Sequence, residues 1–301
     1  MRLPPGRPRV DDPAMFLALA LYLAAYVLGL GGLWVGRVNR RRERPPVAPK
    51  LLRGPGESLR WRLQRLDDAL LLQAFGAAFF PMGVFIGGLM LTLNLPGEER
   101  DSLMLGVFVL FVLTLLFAGR WLLAKFTLRR DCHLGLLGEK IVAEALAPLA
   151  AEGARIYHDV PAGAFNLDHV VVGPTGVFAI ETKTRRAGRA LAGRRPDEIV
   201  FDGAQLVFPW GEDTFGLDQA MHRAAWLTTW LRDAAGEPVT AVPILTFPGW
   251  NVATTAAGSE VHVLAPSAIP GLVRNHPALL TPAQLDHIAR QLEVRCRDVE
   301  F

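Results

Sequence analysis

The chain has 301 residues, 51% of which are hydrophobic, and its mean hydropathy is +0.26. A purely soluble globular protein rarely has this composition, so membrane spans are the first possibility to consider. Residues 1–119 carry 14 Lys and Arg against 9 Asp and Glu, whereas residues 120–301 carry 18 against 20. The basic excess therefore lies in the apolar half and gives no evidence for nucleic-acid binding. The two cysteines, Cys132 and Cys296, form no CxxC pair, which argues against a disulfide framework or a zinc site.

Residues 1–125 are predicted to form a membrane region with three helical spans, at about 14–36, 69–95 and 103–123. A cleaved signal peptide is the alternative for the first span. It is disfavoured because the apolar run is long and because a cluster of arginines follows it at once, as at a stop-transfer boundary. These are Arg37, Arg40, Arg41, Arg42 and Arg44. The lipid bilayer is therefore an expected partner of the chain.

The distribution of basic residues predicts the orientation of the spans. The loop 37–68 holds ten Lys and Arg and is expected in the cytoplasm, whereas the acidic loop 96–102 is expected outside. The N-terminus then lies outside and the domain 126–301 is cytoplasmic, as in an inner-membrane protein of bacterial type. Residues 58–70 carry leucines at helical spacing among arginines. They lie either in the headgroup plane or in a cytoplasmic extension of the second span.

From residue 134 onward, helical periodicity alternates with short runs of β-branched residues. The predicted elements are a helix at 134–150, strands at 155–160, 168–172 and 177–183, a loop at 184–214, a helix at 216–234, strands at 239–247 and 261–264, and a last helix that Thr281 caps. The order α-β-β-β-α-β-β-α predicts an α/β fold with a mixed sheet flanked by helices.

The turn at 173–176 joins the second and third predicted strands and fixes their pairing. If these four residues form the loop, Asp168 lies directly opposite Glu181, with Cβ atoms about 5 Å apart. Lys183 follows Glu181 by two residues and so points to the same face. Two facing carboxylates repel each other unless one is protonated or a cation lies between them. A surface salt-bridge patch is the alternative, but these strands are too apolar for an exposed edge.

Two further sets of charged residues accompany the hairpin. Glu139 lies at the edge of the apolar stripe of the helix at 134–150. It is either a surface residue that the helix dipole favours or a member of the site. Five arginines in the predicted loop after Lys183 either bind phosphates or keep the loop solvated. They are Arg185, Arg186, Arg189, Arg194 and Arg195.

Three motifs resemble the nuclease-related domain (NERD) family: Gly138-Glu139, NLDHVVVGP at 166–174 and GVFAIETK at 176–183. The resemblance covers about residues 133–250. The family looks like a branch of the PD-(D/E)xK nucleases, which implies a restriction-endonuclease-like αβββαβ core. The proline that names that superfamily is missing, because Leu167 precedes the aspartate.

The resemblance also implies roles for individual residues. Asp168 and Glu181 would be the metal-binding pair, Glu139 the helix acid that completes the metal shell, Lys183 the catalytic lysine, and Gln219 a helix glutamine near the site. The implied cofactor is Mg²⁺ or Mn²⁺, and the implied partner is DNA or RNA. We therefore expect a membrane-anchored nuclease that hydrolyses phosphodiester bonds. The alternatives are a catalytically silent nuclease-fold module that binds nucleic acid or proteins, and a membrane scaffold or sensor.

Overall fold

The computed structural model describes residues 13–40, 50–92, 95–254 and 258–299. The chain divides into two compact units: Met1–Pro45 with Leu63–Asp131, and Pro46–Arg62 with Cys132–Phe301. The short segment that begins at Pro46 therefore belongs with the C-terminal residues. The predicted domain bounds, 1–125 and 126–301, do not place it there.

In chain order the elements are α1 (Pro13–Arg40), β1 (Leu51–Leu52), α2 (Glu57–Thr92), α3 (Gly97–Ala151), β2 (Arg155–Pro161), β3 (Asn166–Gly173), β4 (Gly176–Thr182), β5 (Glu198–Phe201), β6 (Leu206–Phe208), β7 (Gly211–Asp213), α4 (Phe215–Asp233), β8 (Ala241–Thr246), β9 (Asn251–Thr254), β10 (His262–Leu264), a 3₁₀ turn (Pro266–Ala268), α5 (Ile269–Asn275), α6 (Pro282–Cys296) and β11 (Arg297–Val299). The second unit is a mixed α/β domain, as predicted.

The described residues of the first unit are helical except for residues 95–96, which separate α2 from α3. Helices α2 and α3 are long and apolar enough to cross a membrane. Their most apolar windows have mean hydropathies of 1.9 and 2.5 and expose nearly all of their side chains. The prediction of three spans is not confirmed among the described residues. The apolar stretch of α1 is Ala20–Gly36, which at 1.5 Å per residue is about 25 Å long, short of a hydrocarbon core of about 30 Å.

Helix α2 runs without a break from Glu57, so residues 58–70 continue the second predicted span. This continuity favours the helical extension over a separate helix in the headgroup plane. Arg41, Arg42 and Arg44, which contribute to the predicted orientation, lie outside the described residues. So do positions 93–94 at the end of the second predicted span.

The centre of the second unit is a five-stranded sheet with the order β10-β8-β4-β3-β2. Strands β2, β3 and β4 pair antiparallel, and β4, β8 and β10 pair parallel. Both faces of this sheet are buried. Val170 and Val172 point to one face and pack with α4 and α6, whereas Val171 and Phe178 point to the other and pack with α3 and α5. Val172 pairs with Val177, so the predicted hairpin register is confirmed.

The interpretation of residues 184–214 as a loop is wrong in part. Strands β5, β6 and β7 lie there and form a second sheet with β9, in the order β7-β6-β5-β9. Ile199, Phe201 and Phe208 are buried in a cluster with Phe247 and Trp250. The strands have only three or four residues each, too few for alternation to stand out in the sequence.

The predicted cap of the last helix is confirmed. The Thr281 side chain accepts a hydrogen bond from the Gln284 backbone N–H at 3.3 Å, and the Gln284 side chain accepts from the Thr281 N–H at 3.1 Å. This capping box satisfies two backbone donors at the start of α6. Helix α6 then packs on β2 and β3, which closes one face of the central sheet.

Candidate functional site

The two acidic residues of the hairpin lie at the same end of β3 and β4. The ladder pairs His169 with Ile180, and the next positions outward are Asp168 and Glu181. The Glu181 side chain is 2% exposed and that of Asp168 is 17% exposed. Oδ2 of Asp168 accepts a hydrogen bond of 2.8 Å from the Thr182 backbone N–H, which holds this carboxylate against β4.

Lys183 lies beside the acidic pair, as its spacing from Glu181 predicts. Its Nζ is 2.9 Å from Oε1 of Glu181 and donates a hydrogen bond to Oε1 of Gln219 on α4. The Lys183 backbone N–H donates to Thr246 of β8 at 2.9 Å, which continues the strand pairing past the end of β4. Burial lowers the pKa of the Lys183 amine, while the charge of Asp168 opposes that effect. The lysine is therefore held in place by three neighbouring elements.

Arg223 is a member of this cluster that the sequence analysis did not identify. It follows Gln219 by four residues on α4, so both side chains project from one helical face. Its Nη1 lies 3.5 Å from Oδ1 of Asp168 and also contacts Oε2 of Glu181. Burial raises the pKa of Asp168, and the Arg223 charge works against that rise. In this fold, the cation that two facing carboxylates require is supplied by Arg223.

Glu139 is buried, with 7% exposure, so its interpretation as a surface residue is wrong. Burial raises its pKa to about 9, and the negative charges of Asp168 and Asp159 add to the effect. A hydrogen bond from the Gly56 backbone and the charge of Arg223 act in the opposite direction. Its Oε2 atom has no hydrogen-bond partner among the described residues. Glu139 is thus a poorly compensated carboxyl group close to the hairpin acids.

Gly138 explains how α3 brings Glu139 so close to the hairpin. A Cβ atom at this position would lie 2.1 Å from Cγ2 of Thr184, the residue directly after Lys183. Real Cβ contacts are not that short, so a larger residue at position 138 would force the Thr184 side chain or the backbone around it to shift. Close packing against Thr184 therefore accounts for a glycine at position 138, next to the acid at position 139 that lies near the hairpin carboxylates.

The five arginines predicted to bind nucleic acid have different environments. Arg185 pairs with Asp213 at 2.6 Å, Arg194 donates to the Phe208 carbonyl at 2.6 Å, and Arg195 lies 3.6 Å from Glu198. Arg186 and Arg189 are exposed. The sequence could not separate these cases, because the partners of Arg185 and Arg194 lie on the small strands that it did not predict.

The donor chemistry of the cluster suits a hard divalent cation, since Asp168, Glu181 and Glu139 offer only carboxylate oxygens. Across the described residues, however, no group of three or more His, Cys, Asp or Glu side chains is gathered closely enough to hold a metal ion. Arg223 contacts the two hairpin carboxylates instead. Metal binding by these three residues is therefore a proposal and is argued below.

Residues 134–248 match the family model of the nuclease-related domain. The chain contains a nuclease-related domain. The matched range of this nuclease-related domain holds Glu139, Asp168, Glu181, Lys183 and Gln219, together with Arg223. It does not include the segment from Pro46 or helices α5 and α6. No curated protein and no solved structure matches the chain.

Proposed function

We propose that the chain is a membrane-anchored, metal-dependent nuclease that hydrolyses phosphodiester bonds in DNA or RNA at the cytoplasmic face. The observation that carries the proposal is the cluster of Asp168, Glu181 and Lys183 at one end of a buried hairpin inside a nuclease-related domain. A structural ion pair would need one acid and one base. Burial raises the pKa values of both the Glu139 and the Asp168 carboxyl groups, and such perturbed groups are typical of a functional site.

Asp168, Glu181 and Glu139 would hold Mg²⁺ or Mn²⁺ through their oxygens. The bound ion would polarise a phosphoryl oxygen and lower the pKa of a coordinated water. The orphaned Oε2 of Glu139 supports this assignment, because a buried oxygen without a donor is a place where a cation is stabilising.

Lys183 and Arg223 would act on the substrate. Gln219 accepts a hydrogen bond from the Lys183 amine and so fixes its direction. A fixed ammonium at this position would orient the attacking water or neutralise charge that develops on the phosphoryl group. Arg223 would contact a phosphate oxygen once the carboxylates are compensated in another way, since guanidinium groups bind phosphate with paired hydrogen bonds.

For the membrane anchor we propose that α2 and α3 form a spanning hairpin. Residues on both sides of that hairpin, Pro46–Arg62 and Cys132–Phe301, belong to one compact unit. An even number of crossings by the chain between them would keep this unit on one side of a membrane. The ten Lys and Arg of the loop 37–68 favour the cytoplasmic side for this unit. A shorter crossing by α1 would put the N-terminus outside, and reporter fusions at both ends of the chain would test that arrangement.

The cleavage test should use the full-length protein in detergent or nanodiscs, because a fragment that starts near residue 126 lacks residues 50–62 of the second unit. Single- and double-stranded DNA and RNA are incubated with Mg²⁺ or Mn²⁺ and the products separated. Asp168→Asn and Glu181→Gln are expected to reduce cleavage at least 100-fold. Glu152→Gln is the matched control, since Glu152 pairs with Arg274 at the surface. Equal cleavage by all variants would refute the assigned site.

One observation favours the second candidate function, a silent module that binds nucleic acid without cutting it. Arg223 already compensates Asp168 and Glu181, and a cluster neutralised by a resident arginine has no need of a metal. This alternative predicts that Mg²⁺ and Mn²⁺ leave the melting temperature of the second unit unchanged. It also predicts that nucleic acid is bound equally well with and without chelator and is never cleaved.

A further inference from the structure

The segment at residues 50–62 belongs to the second unit, which the sequence did not predict. Strand β1 pairs antiparallel with β11, and the Arg53 backbone N–H donates to the Cys296 carbonyl at 3.0 Å. Arg53 also binds Asp298 through two hydrogen bonds of 2.7 Å. Its side chain is only 9% exposed. The chain that leads into α2 is therefore anchored at the edge of the domain before the helix begins.

Asp159 on β2 is the residue that fixes the end of this segment. Its side chain is 4% exposed and accepts four hydrogen bonds: from Arg53 Nη1 at 3.0 Å, from the Ser58 N–H at 2.9 Å, from Ser58 Oγ at 2.6 Å and from Asn166 Nδ2 at 2.9 Å. Each of the two carboxyl oxygens accepts two of these hydrogen bonds. Asp159 therefore closes the start of α2 onto the sheet.

The backbone of Asp159 supports a specialised role. Its φ of +48° makes it the one non-glycine residue with positive φ among the described parts of the chain. This conformation is unfavourable for an L-residue and persists where the surroundings enforce it. The conformation turns the side chain and the carbonyl of Asp159 toward the same partner, since Arg53 Nη1 also donates to that carbonyl at 3.1 Å.

The segment meets the proposed site at Gly56, two residues before Ser58. Gly56 is buried with φ +68°, and its backbone hydrogen-bonds the carboxyl of Glu139. A Cβ atom at Gly56 would lie 2.5 Å from Leu136 and 3.6 Å from Oε2 of Glu139. The position of the Glu139 carboxyl therefore depends on where residues 53–58 are held.

We infer that Asp159 is a positioning residue for Glu139: by binding Arg53 and Ser58 it holds Gly56 against the Glu139 carboxyl. The inference rests on the proposed function for its catalytic consequence, but its structural part does not. It makes residues 50–62, which lie outside the matched family range and include the first turns of α2, a part of the proposed nuclease site.

The first arm of the test does not depend on activity and uses hydrogen–deuterium exchange of the full-length protein in detergent. Asp159→Asn replaces one carboxyl oxygen with an NH2 group. This group would face the donors of Arg53, Ser58 or Asn166 and could not accept their hydrogen bonds. We expect the peptide that holds Gly56 and Ser58 to exchange at least tenfold faster in this variant. Glu152→Gln is the control, because Glu152 pairs with Arg274 at the surface. In this variant the peptide that holds Gly56 and Ser58 should exchange within twofold of wild type. Equal protection in Asp159→Asn and wild type would overturn the inference.

The second arm asks whether Asp159 acts through Glu139, by a double-mutant cycle in metal-dependent cleavage. Asp159→Asn is expected to reduce kcat at least tenfold with less than threefold change in KM. In a Glu139→Gln background the same change should reduce kcat by less than a further twofold. Independent, multiplicative losses would overturn the inference. A wild-type protein that cleaves nothing would refute the proposed function instead, and the exchange arm would still decide the positioning of Gly56.

Discussion

Replacing Glu139 with glutamine should remove a pH dependence from the stability of the second unit. The pKa of the Glu139 carboxyl is raised from 4.5 to about 9, mainly by burial. Between these values the folded chain keeps a proton that the unfolded chain has released. Stability therefore falls as the pH rises through this window, because stability rises with pH only where the unfolded state binds more protons. Glutamine is neutral throughout and contributes no such slope.

The size of the effect follows from proton linkage. One extra proton bound in the folded state changes the free energy of unfolding by about 1.4 kcal/mol per pH unit. Between pH 6 and pH 8 the wild type should lose at most about 2.7 kcal/mol more than Glu139→Gln. For a unit of this size, 1 kcal/mol corresponds to about 2–4 °C in Tm. The Tm difference between the two proteins should thus change by about 5–10 °C across this pH range.

The assay is thermal unfolding of the full-length protein in detergent, followed by tryptophan fluorescence at several pH values with chelator present. Glu152→Gln serves as the control, since the exposed Glu152 carboxyl has a pKa that Arg274 lowers and does not titrate in this range. Parallel Tm curves for wild type and Glu139→Gln from pH 6 to pH 8 would refute the reasoning. They would show that the carboxyl is already ionised, with a partner that compensates it.

Three further perturbations test other parts of the site and fold. Gly138→Ala should lower stability by about 1–3 kcal/mol and reduce cleavage, because the new Cβ would lie 2.1 Å from Thr184. The control is Gly271→Ala, where a Cβ meets open space. This variant should lower neither stability nor cleavage in the same assays. Arg223→Gln should lower Tm in chelator, and Mg²⁺ or Mn²⁺ should raise the variant's Tm more than that of wild type; no metal response in either protein would contradict a metal site. Thr281→Ala should cost about 1 kcal/mol in denaturant unfolding without changing cleavage, and a loss of cleavage at unchanged stability would contradict its purely capping role.

The parts of the site that are close in sequence could be predicted from it. The four-residue turn at 173–176 sets the register of the hairpin, and that register alone places Asp168 opposite Glu181 with Lys183 beside them. Glu139 could be proposed from its position on an apolar helical stripe. Its burial could not, because burial depends on how α3 packs against β4.

The parts that escaped prediction depend on contacts between distant positions. Arg53 binds Asp159 across 106 residues and Asp298 across 245 residues. No periodicity or motif in the sequence relates such positions. Arg223 lies on the same helical face as Gln219, which is a readable signal, but its contact with Asp168 spans 55 residues and requires the placement of α4 against the hairpin.

The charges around the site are balanced at every acid except one. Asp159 is paired with Arg53, and Asp168 and Glu181 are in contact with Arg223 and, for Glu181, Lys183. Glu139 makes no ion pair within the described residues, and burial, with the nearby charges of Asp168 and Asp159, raises its pKa to about 9. A divalent cation would therefore be stabilised most by the Glu139 carboxyl. There it would replace a proton, whereas at Asp168 and Glu181 it would have to displace Arg223. Metal stabilisation of the fold should accordingly be weaker in Glu139→Gln than in wild type, and this holds whether or not Arg223 leaves the hairpin carboxylates.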